Sequence, residues 1–268
     1  MPNVDLTVDE ARAVGSMAIN RPDRANAIDD RTINELSDAY RLLDSDRRVK
    51  VIILSGTGKG FCSGHDLMID PSERPQTTMD DIDILVRQNH RLLDIYTGDT
   101  PVIAKVHGYC LGAAVELVLL CDLSVAALDS RFAHPAIRGA GGSPNSLTYP
   151  FALGFSKAKE YLWTTPQLSG REAAEWNLVN RAVASDELDG FVNVWADRIA
   201  SMPQENIRLM RRGLRRLQDM MGFREAAEMG ADLDALGHTG PATQRWRDTV
   251  QRVGLKEAVR LRDLPFKP

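Results

Sequence analysis

The sequence is short of the features that mark specialised protein classes. Its three cysteines, Cys62, Cys110 and Cys121, form no Cys-x-x-Cys pair, so reduced thiols in a cytoplasmic protein are the simple reading, not a disulfide framework. Histidine occurs five times, with no pair at metal-ligand spacing, and no metal is predicted. No apolar run approaches the length of a membrane span, so no membrane partner is predicted. The opening residues Met1-Pro2-Asn3-Val4-Asp5 carry neither a basic nor an apolar leader segment. Neither sign of charge dominates: 33 Lys and Arg face 37 Asp and Glu, a net charge of -4. The global field therefore does not favour nucleic acid. There is no low-complexity tract and no strict repeat. What remains is an ordinary globular composition, 43% hydrophobic and 26% charged, enough apolar material for one large domain or two small ones.

Hydrophobic spacing predicts an alternation of strands and helices. Val4 to Asp9 and Ala13 to Ile19 read as a hairpin. Asp29 to Ser45 reads as a helix capped by Asp29 or Asp30, with Ile33, Leu36, Tyr40 and Leu43 on one face. Val49 to Leu54 and Val102 to Val106 read as buried strands. Asp80 to Tyr96 is an amphipathic helix, and Leu111 to Leu120 is a helix apolar nearly all round, hence central. Ser124 to Ala127, Arg131 to Ala133 and Arg181 to Ala184 are short strands. The alternation argues for α/β layers, and from Ser169 onward the pattern is mostly helical. On the segment Glu205 to Leu217, five arginines take one face and Ile207, Met210, Leu214 and Leu217 the other. The arginine face reads as solvated or as salt-bridged between subunits.

Two glycine-rich stretches are the most informative feature. They are Phe61-Cys62-Ser63-Gly64-His65-Asp66-Leu67 and His107-Gly108-Tyr109-Cys110-Leu111-Gly112-Ala113-Ala114-Val115-Glu116-Leu117. Each places small residues where backbone can approach a ligand closely. The second runs from a strand into a helix, and a helix N-terminus offers free N–H groups that suit developing negative charge. Glu116 follows one turn later. On an apolar helix an unpaired carboxylate is costly, which leaves two readings. It is a proton carrier, or it is paired with an arginine or a backbone amide. Oxyanion donors with an acid/base beside them are the parts needed for chemistry on a thioester carbonyl.

The stretches belong to a longer series. Asn20-Arg21-Pro22-Asp23-Arg24-Ala25-Asn26-Ala27-Ile28 precedes them. Cys121-Asp122-Leu123, Phe132-Ala133-His134-Pro135-Ala136-Ile137-Arg138 and Leu168-Ser169-Gly170-Arg171-Glu172-Ala173 follow. In that order and spacing the set resembles the enoyl-CoA hydratase/isomerase family, the crotonase superfamily, over nearly the whole chain. The resemblance implies an α/β fold: a crotonase-like spiral of repeated ββα units. It implies an acyl-CoA site in residues 1–200 and a helical C-terminal region, residues 201–268, that drives assembly into a homotrimer or homohexamer.

The resemblance also implies site residues. The backbone N–H groups of His65 and Ala113 match the pair that polarises a thioester carbonyl, and Glu116 matches one of the two glutamates that flank the water in the family's hydratases. The second glutamate follows a proline in the family, and here Ala136 stands at that place. The glycine-rich pattern after it is changed to Gly139-Ala140-Gly141-Gly142-Ser143-Pro144-Asn145-Ser146. His134, Ser143 and Tyr149 are candidates to assist a single carboxylate. The coenzyme A thioester, a substrate with no resident cofactor beside it, would lie against Arg24, Ala25, Lys59, Phe61, Ser63, Gly64, Asp66, Leu67, Gly112 and Ala136. The predicted activity is hydratase-like lyase chemistry. Decarboxylation, double-bond isomerisation and thioester hydrolysis are the enzymatic alternatives, and a non-catalytic acyl-CoA-binding homologue is the alternative of another class.

Overall fold

The computed structural model describes residues 1–68, 75–139 and 145–266. The chain opens with strands β1 (Val4–Asp9) and β2 (Val14–Ile19), paired antiparallel with Val4 opposite Ile19. The second strand starts one residue later than predicted because Ala13, at φ 56°, belongs to the turn. Helix α1 (Asp30–Ser45) is capped by Asp29, whose carboxylate accepts the Thr32 N–H at 2.8 Å, and buries Ile33, Leu36, Tyr40 and Leu43. Strand β3 (Val51–Gly56) lies two residues further on than its apolar run suggests. The Val49 N–H closes a turn onto the Asp46 carbonyl, and the parallel register with β2 sets Val51 opposite Val14.

Helix α2 (Thr78–Thr97) begins two residues early because Thr77 and Asp80 form a reciprocal capping box. Strands β4 (Val102–Val106) and β5 (Tyr109–Leu111) precede helix α3 (Ala113–Leu120). Leu111 is therefore in a strand, not in the helix predicted to start there. Then come β6 (Leu123–Ala127), β7 (Arg131–Ala133), α4 (Tyr149–Thr164), β8 (Leu168–Ser169), α5 (Gly170–Glu175) and β9 (Arg181–Val183). The described residues after β9 form helices α6 (Leu188–Ser201), α7 (Gln204–Met220), α8 (Phe223–His238), α9 (Pro241–Val253) and α10 (Leu255–Asp263).

The strands build two sheets, a six-stranded one in the order β1-β2-β3-β4-β6-β9 and a three-stranded one in the order β5-β7-β8. Each pass of the chain repeats one plan: a strand of the large sheet, a short strand or bridge of the small one, then a helix. The three passes are β3, Cys62 and α2; then β4, β5 and α3; then β6, β7 and α4. Cys62 pairs with Cys110, and Cys110 with Phe132, all parallel. That is the spiral of ββα units. The large sheet is covered on both faces, which explains its unbroken apolar strands. Ile52 and Leu54 point to the main core with Phe61, Cys110 and Leu117, whereas Val51 and Ile53 point to a second core under Leu188, Val192 and Ala196 of α6.

Helix α7 reverses one expectation. Arg211 and Arg215 face the protein, while Arg212 and Arg216 stay exposed. Arg211, 8% exposed, donates to Asp122 at 2.7 Å and to the Ile95 carbonyl at 2.6 Å. Arg212 pairs with Asp99, and Arg215 donates to the Gly98 carbonyl at 2.7 Å. The C-terminus of α2 presents carbonyls without helical partners, and guanidinium groups satisfy them. The apolar residues Leu209, Met210, Leu214 and Leu217 are left exposed in the single chain.

Candidate active site

Backbone ladders bring the two glycine stretches together. The Cys62 N–H donates to the Tyr109 carbonyl and the Leu111 N–H to the Cys62 carbonyl, both at 3.1 Å. On the other side Ile28 is the bridge partner of His65. The Ile28 N–H donates to the Gly64 carbonyl and the Asp66 N–H to the Ile28 carbonyl, each at 2.8 Å. Gly64 has φ 92°. A side-chain carbon there would lie 2.6 Å from the Leu111 carbonyl oxygen and 3.4 Å from the Ala113 nitrogen. Only glycine lets the first stretch lie this close against the second. Gly112, at φ 55°, donates its N–H to the Ala133 carbonyl at 2.8 Å and turns the chain from β5 into α3. Ala113 is then the first residue of α3, where backbone N–H groups have no intrahelical acceptor.

A cavity of about 780 Å³ opens at this junction. Ser63, Gly64, His65, Asp66 and Leu67 line it, as do Gly112, Ala113 and Ala136. Burial holds the His65 imidazole below its ordinary 6.5; the Glu116 charge offsets this in part, while His238 and His134 add to it. The side chain is therefore neutral at pH 7. Asp66 is held by Arg21 at 3.1 Å. Arg24 and Arg87 also line the cavity, and neither pairs with a carboxylate among the described residues.

Glu116 is 2% exposed. Its Oε1 accepts from His134 Nε2 at 3.1 Å and from Ser146 Oγ at 3.2 Å, and its Oε2 accepts the Asn145 N–H at 3.1 Å. An imidazole, a hydroxyl and a backbone amide thus hold the carboxylate. His134, 1% exposed, meets Tyr149 edge-on at 5.6 Å, and Tyr149 packs against Tyr161 at 5.4 Å. His134 Nδ1 and both tyrosine hydroxyls are buried without a hydrogen-bond partner among the described residues. Burial pushes both phenols well above their ordinary 10, so they stay neutral. Glu116, His134 and Tyr149 form a buried row beside the cavity and are not part of its described wall.

Some predicted contacts lie elsewhere. Phe61 is fully buried in the main core and does not reach the cavity; its backbone, bonded to His107, serves the ladder instead. Ala25 is off the wall too: it takes a left-handed φ of 51°, and its carbonyl accepts the Ser63 N–H at 3.1 Å. Lys59 is exposed on the loop after β3, away from the wall, because its backbone closes against Gly108. Ser143 lies outside the described residues. Sequence reasoning missed Asp81, Asp234 and His238, which line the same cavity from α2 and α8. No local pattern marks them: Asp81 and His238 are 157 positions apart.

The sequence model described as enoyl-CoA hydratase/isomerase matches residues 9–246. The chain belongs to the enoyl-CoA hydratase/isomerase family. Among similar proteins, a probable mitochondrial enoyl-CoA hydratase of Dictyostelium discoideum is 34% identical over 205 residues, covering 74% of this chain and 70% of that protein. A crotonyl-CoA hydratase of Syntrophomonas wolfei is 32% identical over 211 residues, 77% of this chain and 79% of that one. A crystal structure of an enoyl-CoA hydratase from Mycobacterium smegmatis superposes with a TM-score of 0.91 at 28% identity, covering 99% of this chain and 94% of that chain. An enoyl-CoA hydratase/isomerase from Xanthobacter autotrophicus Py2 also gives 0.91, at 29% identity and 99% of both chains. This family member is accordingly an enoyl-CoA hydratase-like protein of the crotonase type, and its fold is the crotonase fold.

Proposed function

We propose that this protein adds water to the double bond of an enoyl-CoA thioester, with one carboxylate handling the proton. The observation that carries the reading is Glu116, a buried carboxylate held by three donors beside a cavity that meets both glycine stretches. The thioester oxygen accepts the His65 and Ala113 N–H groups, which take up the charge as an enolate forms. Water oxygen bonds to the β carbon while Glu116 takes one of its protons. Glu116 then returns that proton to the α carbon, and the enolate collapses to the saturated 3-hydroxy thioester. All the atoms of one water are added, and the carboxylate ends as it began. His134 donates from Nε2 to Glu116 and keeps the carboxylate aimed. The reaction as drawn uses neither a metal nor a resident cofactor.

The coenzyme A phosphates are assigned to the guanidinium groups of Arg24 and Arg87, which have no carboxylate partner among the described residues and suit phosphate as forks. Ala136 supports a second reading. It puts a methyl group in the cavity wall where the resembled family carries its second glutamate, and a single base suffices to move a proton between carbons in a double-bond isomerase. Product mass separates the two, since hydration gains one water and isomerisation none. Glu116→Gln should lower turnover about 100-fold or more and leave thioester binding in place. Undiminished turnover in that variant would remove Glu116 from the mechanism.

The proposal includes assembly through residues 201–268 as a homotrimer or homohexamer in the cytoplasm. The exposed apolar face of α7 supports the first part, and the free thiols of Cys62, Cys110 and Cys121 support the second. Among the described residues no helix is long and apolar enough to cross a membrane.

A further inference from the structure

One part of the cavity wall is ionic. Leu85 of α2 clusters with Ala231 and Ala235 of α8. On those same faces, one turn before Leu85 stands Asp81, and around Ala235 stand Asp234 and His238. Asp81 is in the first turn of α2 and His238 in the last turn of α8, the helix ends that favour an anion and a cation respectively. His238 Nδ1–H donates to Asp81 Oδ2 at 2.8 Å. Its Nε2 stands 3.6 Å from Asp234 Oδ1, too far for a hydrogen bond. Asp81 and Asp234 are buried. Burial works against a charged His238, but the Asp81 hydrogen bond and the charges of Asp234 and Asp81 outweigh it and the opposing Arg247, and the imidazole is held above its ordinary 6.5.

The trio sets two carboxylates against one imidazole. A plain alkyl chain laid against it would displace water and return no hydrogen bond. A hydroxyl fits: its oxygen accepts from His238 Nε2–H, and its proton goes to a carboxylate oxygen, a group with about four lone-pair sites. A carboxylate on the substrate laid against this corner would face the two carboxylates of Asp81 and Asp234.

We propose that Asp81, Asp234 and His238 form a recognition site for a hydroxyl group on the acyl chain, so that the substrate class is a hydroxyl-bearing acyl-CoA. The inference rests on the acyl-CoA reading of the cavity. The test is calorimetric binding to the intact protein of coenzyme A itself and of saturated acyl-CoA thioesters of equal length. One thioester is unsubstituted, one is carboxylated at its end, and the others are hydroxylated at successive carbons beyond the β carbon. At least one hydroxylated thioester should bind about tenfold or more tighter than the alkyl one. Asp81→Asn and His238→Gln should bring that ratio toward one with coenzyme A affinity unchanged. The wild-type comparison stands whether or not the variants fold. Equal binding of alkyl and hydroxylated thioesters, or preference for the carboxylated one, would overturn the inference while coenzyme A binding kept the acyl-CoA reading. Absence of coenzyme A binding would overturn both.

Discussion

Replacing Gly64 by alanine tests how tightly the two glycine stretches are pressed together. At φ 92° any residue with a side chain costs about 1–2 kcal/mol. The new carbon arrives 2.6 Å from the Leu111 carbonyl oxygen, well inside the ordinary contact distance of about 3.5 Å. Backbone must shift, and overpacking of this kind costs about 1–3 kcal/mol. The sum is about 2–5 kcal/mol, a fall in Tm of roughly 4–20 °C for a chain of this size. Gly222→Ala is the control. Gly222 has nearly the same backbone angle, φ 91°, yet a carbon added there meets nothing within 4 Å, so only the first cost applies, roughly 2–8 °C. Activity separates the pair further. The Ala113 nitrogen lies 3.4 Å from the added carbon at 64, so relief of the clash moves one proposed oxyanion donor. Loss of such a donor costs about 10²–10³ in kcat. Thermal melts and steady-state turnover of an enoyl-CoA on both variants decide the matter. If the two melt together and both turn over at the wild-type rate, the stretches are not in forced contact and the oxyanion assignment fails.

Two histidines predict opposite pH effects on stability. His238 titrates above 6.5 in the folded chain, so its contribution is complete below that value and is lost as pH rises through the folded value. The Tm advantage of the wild type over His238→Gln should shrink as buffers go from about pH 6 to about pH 9, and a constant difference would contradict the pairing. His65 titrates below 6.5 because it is buried; protons favour the unfolded chain there, and stability falls as pH drops below that value. His65→Gln should flatten the acid side of the Tm profile. Finally, the proposed assembly predicts that the apolar face of α7 meets a second copy of the chain. Leu214→Glu with Leu217→Glu should reduce the mass measured by light scattering to that of one chain, and an unchanged mass would place the interface elsewhere.

The legible parts of the site are those in which one short segment does a whole job. Glycine at 64 marks close backbone approach and glycine at 112 a positive-φ turn into α3, and Glu116 stands out because a carboxylate on an apolar helix needs a reason. His134 was readable as a neighbour of the Pro135-Ala136 departure, though its bond to Glu116 is a fact of packing. Phe61 looked like a ligand contact because it flanks the loop, but its side chain points into the core. Strand positions in a covered sheet do not announce which face they serve. Helix α7 was divided correctly into an arginine face and an apolar face, yet which face turned inward depended on the carbonyls at the end of α2.

Periodicity by itself determined the strand–helix alternation and the placing of one carboxylate on the apolar helix α3, because each depends on near neighbours in the chain; the junction of the two glycine stretches, about 45 positions apart, was decided by the parallel pairing of Cys62 with Cys110. The ionic corner of the cavity was decided only in three dimensions. Asp81 and His238 look like ordinary polar residues of separate helices until Leu85 meets Ala231 and Ala235. Packing of α2 on α8 then sets an imidazole within 2.8 Å of a carboxylate, and no spacing within either helix encodes that distance.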